Sequence, residues 1–251
     1  NQVFVPAGRS FFTSIGKAIA AFEQGRVLDP LILRFGHIYT SYKDRQRYFF
    51  GEKNTDTKKS IEKRFNDLLG GKVEQDGEKE YVHMEDGRKI PLSALSSGQQ
   101  ELLPLVVFSP WIYGRGLGRL CYIEEPEAHL FPLAQSHLIE GLIIASYAST
   151  PSTNLIMTTH SPYVLTKINN LLKAGSAAKK FNDVKKKKLE AIVNKRAWLL
   201  AKDVRAYAIK DGNLFSILEE DGLINADYLD TASGNLSEEF DSILDLEVSD
   251  D

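Results

Sequence analysis

LCYIEEPEAHL, residues 120–130, is the stretch that decides the fold. Leu120 to Ile123 is a short apolar run that ends abruptly in two carboxylates, Glu124 and Glu125. Burying an unpaired charge is costly, so these carboxylates should emerge at the carboxyl end of a strand, where α/β sheets bind their ligands. Downstream, helical periodicity covers about Pro132 to Ser149. A second apolar run, Asn154 to Thr158, then leads into Thr159-His160-Ser161-Pro162. Strand, helix, strand is the βαβ order of a parallel sheet. The near-continuous hydrophobicity of both runs predicts strands covered on both faces.

Upstream lies LSSGQQELLPL, Leu95 to Leu105. A helix is predicted from Ser97, its N-cap candidate, to Phe108, with Pro104 kinking it and Pro110 ending it. Thr57 to Leu69 reads as an amphipathic helix on Ile61, Phe65, Leu68 and Leu69, stopped by Gly70-Gly71. Lys72 to Leu92 alternates and carries Asp76-Gly77 and Asp86-Gly87, so two hairpin bends and an antiparallel element are expected. Val3 to Val5 is a strand candidate closed by Pro6-Ala7-Gly8, and Ser14 to Phe22 has helical spacing. Beyond His160, a helix to about Ala174 is followed by a basic segment, Lys179 to Arg196. A hairpin, Arg205 to Ile217, should turn at Asp211-Gly212-Asn213. A last helix covers about Leu236 to Leu246, in a tail that holds seven acidic residues and no basic one from Ser237 onward. Three divisions follow: 1–94 with the β insertion, 95–175 as the core, and 176–251.

With 251 residues and 43% apolar content the chain can bury a substantial core. A net charge of -3 implies no polyanionic partner in bulk. The single cysteine, Cys121, excludes a disulfide framework and suits a reducing cytoplasm. No apolar stretch reaches the roughly 18 to 20 residues that cross a bilayer, and the first residues lack a signal-peptide pattern, so no membrane partner is expected.

Paired carboxylates at a strand end suit phosphoryl transfer. Glu124 can hold Mg²⁺ directly or through water, and Glu125 can polarise the attacking water. Ser96, Ser97, Gly98 and Gln99 open a helix, whose free N–H groups and serine hydroxyls form a ready phosphate site. Gly98 allows close backbone approach. His160, at the end of the second apolar run, can hydrogen-bond a γ-phosphate. Each feature alone also has a plain structural explanation: a solvated acidic turn, an ordinary N-cap, a structural histidine. Their occurrence together, in this order, favours the chemistry.

LSSGQQ resembles the signature loop of ABC-type ATPases, CYIEEPEAHL an extended Walker B strand, and TTHSP a His switch. The set resembles the ABC-like AAA-family ATPases related to the OLD and Septu anti-phage defence ATPases, and more distantly the SMC-type DNA-repair ATPases. EAHLFP, Glu127 to Pro132, is similar to that group's EAHLHP, and VFVPAGRSFF and the DVRAY…DGNLF region look like the same group. The resemblance implies an α/β fold: part of an ABC-type P-loop NTPase, with a mostly parallel sheet flanked by helices and an antiparallel insertion. It implies ATP and Mg²⁺ as cofactors. Glu125 would position water, Glu124 would stand where most members have the Mg²⁺-assisting Asp, and His160 would be the switch. Ser97, Gly98 and Gln99 would meet the γ-phosphate of ATP bound by an opposite subunit, and His129 would lie in a cross-dimer loop. Arg9 is read with two alternatives: facing the nucleotide or partner, or sitting at the surface or a core edge.

A P-loop, G-x-x-x-x-G-K-[ST], is not found: neither Gly16-Lys17 nor Gly71-Lys72 has the flanking residues. Two explanations stand: further residues upstream of an internal start, or a P-loop-less, non-hydrolysing scaffold subunit. The expected partners are a second copy in a head-to-tail dimer or higher oligomer, and an effector protein. Nucleic acid is a further candidate, through Lys185 to Lys188, although such runs are more often solvated helix faces. Downstream of His160 no Asp-x-Asp pair of a Toprim nuclease is present. A repair-type ATPase is the weakest alternative, since no long heptad array exists.

Overall fold

A computed structural model of the protein describes residues 2–15, 28–49, 56–76, 79–114, 119–149, 152–225, 234 and 236–245. Most of the helix read over Ser14 to Phe22, both residues of the Gly16-Lys17 pair, and Gly77 of the first hairpin bend lie outside them. The chain divides into two compact units, Asn1–Thr159 and His160–Asp251.

The first unit is built on a parallel sheet of three strands, β1 (Gln2–Val5), β5 (Leu120–Glu124) and β6 (Asn154–Thr158), in the order β1-β5-β6. Val3 aligns with Cys121, and Cys121 with Leu155. The α/β class and the parallel pairing of β5 with β6 are as expected. The covering is not uniform. Cys121 and Ile123 are buried, whereas β6 alternates exposed and half-buried, with Ile156 46% exposed. Its apolar run thus does not signify burial on both faces.

Helices α1 (Phe11–Ile15), α2 (Pro30–Phe49), α3 (Asp56–Leu69), α4 (Ser97–Tyr113) and α5 (Pro132–Ala148) build the rest of the core. Ile61, Phe65 and Leu69 are the buried stripe of α3, and Gly70, at φ 82°, ends it as the sequence predicts. Tyr113 of α4 donates to Glu62 of α3 at 3.0 Å, and Arg64 of α3 reaches Glu140 of α5 at 3.3 Å. An aromatic cluster, Phe12, Phe35 and Tyr39, continues the core between α1 and α2. The antiparallel insertion is β2 (Gly71–Asp76), β3 (Lys79–Met84) and β4 (Lys89–Pro91), with the second bend at Gly87, φ 85°.

Two expectations for α4 fail. The helix runs through Pro110 to Tyr113. Proline removes the donor to the carbonyl four residues back, but the Ser109 hydroxyl donates to that carbonyl, on Val106, at 2.8 Å. Eleven of the residues from Glu101 to Tyr113 are buried, and that packing outweighs a missing backbone bond. The N-cap is Ser96, not Ser97, in a reciprocal capping box with Gln99.

In the second unit, α6 (Pro162–Lys180) extends past Ala174, capped by Ser161. The basic segment holds α7 (Asp183–Ile192), capped by Asn182, with no buried residue. β7 (Tyr207–Lys210) and β8 (Asn213–Ser216) form the expected hairpin. Lys210 pairs with Asn213 around Asp211 and Gly212, both at positive φ, which gives the twist such hairpins favour. Residues 236–245 are helical and exposed. No helix among the described residues is long and apolar enough to cross a membrane.

Candidate functional site

The carboxyl end of β5 is where the first unit concentrates charge. Glu124, the last strand residue, is half-buried, and its Oε2 accepts the Ala7 backbone N–H at 3.1 Å. The Pro6-Ala7-Gly8-Arg9 turn beyond β1 therefore holds one side of this carboxylate. Glu125 follows at φ 39°, a left-handed conformation that costs a residue with a Cβ on the order of 1 kcal/mol. Its N–H donates to the Thr158 carbonyl at 3.1 Å and lies 3.3 Å from the Thr158 hydroxyl. Its own carbonyl accepts from Ala128 N–H at 3.0 Å. A backbone held this far from the common wells persists only where its surroundings over-determine it.

The largest of those constraints is Arg9, which is fully buried. Its Nε donates to the Glu101 carbonyl at 2.8 Å. Nη1 donates to Pro6 at 3.2 Å and Glu124 at 2.9 Å, and Nη2 to Glu125 at 3.2 Å and Pro126 at 3.0 Å. The Glu101 carboxylate lies 3.6 Å from Nε. Burial pulls the guanidinium below its ordinary pKa, and Glu101, Glu127 and Glu125 push it back up. Arg9 is therefore neither a surface nor a core-edge arginine: it lies wholly inside the first unit.

Two carboxylates that sequence reasoning did not single out belong to this cluster. Glu101 is 4% exposed, and Glu127 6%. The Thr159 hydroxyl donates to Glu127 Oε1, while Glu127 Oε2 is buried without a hydrogen-bond partner. The only legible signal was the Glu-Glu-Pro-Glu repeat itself. Glu101, Glu124, Glu125 and Glu127 together outnumber the one buried guanidinium. Among the described residues these carboxylates do not converge as a group of three or more that could hold a metal ion, but Mg²⁺ typically takes only one or two carboxylates and completes its shell with water and phosphate oxygens. Glu124 is the residue that would hold it.

The helix start is wired internally. Ser96 N–H donates to Gln99 Oε1 at 3.1 Å, and Gln99 Nε2 donates to the Leu69 carbonyl at 2.8 Å. The Gln99 side chain thus joins α4 to the end of α3. Ser97 is exposed at the first position of α4. A Cβ on Gly98 would stand 2.7 Å from the His129 carbonyl oxygen, so the close approach that this glycine allows is to the chain's own turn. His129 itself is exposed at φ 60°. Ser96, Gly98, Gln99, Glu124 and Glu125 all belong to the first unit. His160 is the first residue of the second and is exposed.

A parallel sheet flanked by helices, with paired carboxylates at the end of its central strand and a helix start lying against the turn that follows, is consistent with part of a P-loop NTPase fold. The chain belongs to the AAA ATPase domain family, whose model matches residues 36–165, just over half of the 251. That span contains Ser96 to Gln99, Glu124, Glu125 and His160, and excludes Arg9. Family membership makes the protein an ATPase in general terms and implies nucleotide use, usually with Mg²⁺. No curated protein matches the chain.

Proposed function

We propose that the protein is an ABC-like ATPase switch related to the OLD and Septu-type defence ATPases. The observation that carries this reading is Glu125, placed at the end of the central strand and held left-handed by bonds from Thr158 and Arg9. Glu125 orients a water and takes its proton as the water oxygen bonds to the γ-phosphorus and the bond to the β-phosphate oxygen breaks, leaving ADP and phosphate. Glu124 would hold Mg²⁺, which when bound would supply neutralisation of phosphate charge. The switch role of His160, the first residue of the second unit, rests on its TTHSP sequence motif.

Two copies close head-to-tail, each presenting Ser96 to Gln99 and above all the exposed Ser97 to nucleotide on the other. The exposed Phe131 and Leu133, just past His129, supply apolar surface beside that face. Opening and closing switches an effector protein in cytoplasmic anti-phage defence.

The test is Glu125→Gln in the full-length protein, assayed for ATP turnover and for retained nucleotide. Turnover should fall at least about a thousand-fold while ATP binding persists. Wild-type turnover in the variant would remove Glu125 from the mechanism.

A further inference from the structure

We propose that Arg9 is the positioning residue of the catalytic turn, acting on the reaction through the backbone of Glu125. The inference rests on the assignment of Glu125 made above, and it lies outside the span that the family match covers.

An arginine has five N–H donors: one on Nε and two on each Nη. At Arg9 each group is matched in number by backbone carbonyls, one on Nε, two on Nη1 and two on Nη2. Those carbonyls come from three chain segments: the turn after β1 (Pro6), the first half of α4 (Glu101), and the end of β5 (Glu124, Glu125 and Pro126). A buried arginine that only filled space would have no reason to spend three of its five donors on consecutive carbonyls. Those three residues are the ones that carry the two strand-end carboxylates and the turn out of the strand. Fixing the Glu124 and Glu125 carbonyls, which lie in the peptide planes on either side of the Glu125 Cα, fixes the backbone torsions of Glu125, and the Thr158 carbonyl holds its N–H. The carboxylate then leaves a backbone that cannot rotate to follow its side chain.

The same fork ties this turn to α4. Glu101 stands four residues after Ser97, so one guanidinium joins the helix whose start is the proposed contact for the opposite nucleotide to the turn that holds the proposed base. Lysine cannot reproduce this. It offers three donors from a single nitrogen and cannot span carbonyls spread around a planar fork.

The experiment uses the full-length protein with Arg9→Lys and Glu101→Gln, beside Glu125→Gln. It measures kcat and KM for ATP, equilibrium ATP binding, and hydrogen exchange of the peptide covering 120–131. Arg9→Lys should lower kcat about a hundred-fold, leave ATP affinity within about three-fold, and speed exchange across the turn. Glu101→Gln keeps the backbone acceptor and removes only the carboxylate, so its kcat should fall about three- to ten-fold with the same exchange signature. Where Arg9→Lys does not fold, Glu101→Gln decides.

Wild-type kcat and wild-type exchange in the deciding variant overturn the inference. A fall in kcat with unchanged exchange at the turn also overturns it, because the effect would then not pass through that backbone. The failure of the Glu125 assignment looks different: Glu125→Gln turns over normally while Arg9→Lys still loses turnover and loosens the turn.

Discussion

β5 and β6 are neighbours in one sheet, run in the same direction and each end in a polar turn, yet their ends are built differently. The backbone at the end of β5 is held fast. Cys121 and Ile123 are buried, Glu127 is buried beyond them, and a guanidinium with no solvent exposure grips the next three carbonyls. The end of β6 is open: Ile156 is 46% exposed, and Thr158 and His160 are exposed as well. In the proposed mechanism one end must hold a water-orienting carboxylate to a fraction of an ångström, whereas the other must respond to the loss of a phosphate. Elements of low local stability serve a response of that kind.

The comparison can be broken most directly by cutting the same side chain on each strand. Ile123→Ala should destabilise the protein by about 3 kcal/mol in urea unfolding, because it opens a cavity at a fully packed site. Ile156→Ala, half in solvent, should cost less than about 1 kcal/mol. Equal losses would mean that β6 is as enclosed as β5.

Gly98→Ala sharpens the β5 side. The added methyl meets the His129 carbonyl oxygen at 2.7 Å, so helix or turn must shift, with an expected loss of about 1–3 kcal/mol in the same unfolding measurement. The smallest stability effect belongs to His160→Ala, within about 0.5 kcal/mol of wild type because the side chain is exposed. Its turnover should nevertheless fall about ten-fold or more in the full-length protein, the split expected of a residue used for response rather than folding. A thermal shift as large as that of Ile123→Ala would make His160 structural.

Legibility in the sequence followed the range of the interactions. The β5-α5-β6 unit was readable because apolar runs, helical spacing and flanking prolines are local signals. So was the hairpin at Asp211-Gly212, whose turn needs residues tolerant of positive φ. The extent of α4 was not, because a serine hydroxyl replaces the bond that Pro110 removes, and nothing in a propensity scale anticipates that substitution. Ser97 was the expected cap, and Ser96 takes that place. The choice was made by Gln99, which reaches back to Ser96 and across to Leu69.

The exposure of β6 escaped because Leu-Ile-Met reads as interior whether or not anything covers it. Arg9 was the hardest case. Four of its five carbonyl acceptors lie 92 to 117 residues away, so its surroundings are purely tertiary. Glu101 and Glu127 were overlooked for the same reason: their burial comes from the fold around them.

Gly98 carries a lesson for reading divergent relatives of this chain. Its lack of a side chain is already required by the His129 carbonyl of the same polypeptide, before any nucleotide arrives. A lineage that had abandoned hydrolysis would still be under pressure to keep that glycine so long as it kept the fold. Glycine at this place is therefore a marker of the fold, and under the proposed mechanism Ser97 and Glu125 are the positions whose change would mark lost hydrolysis.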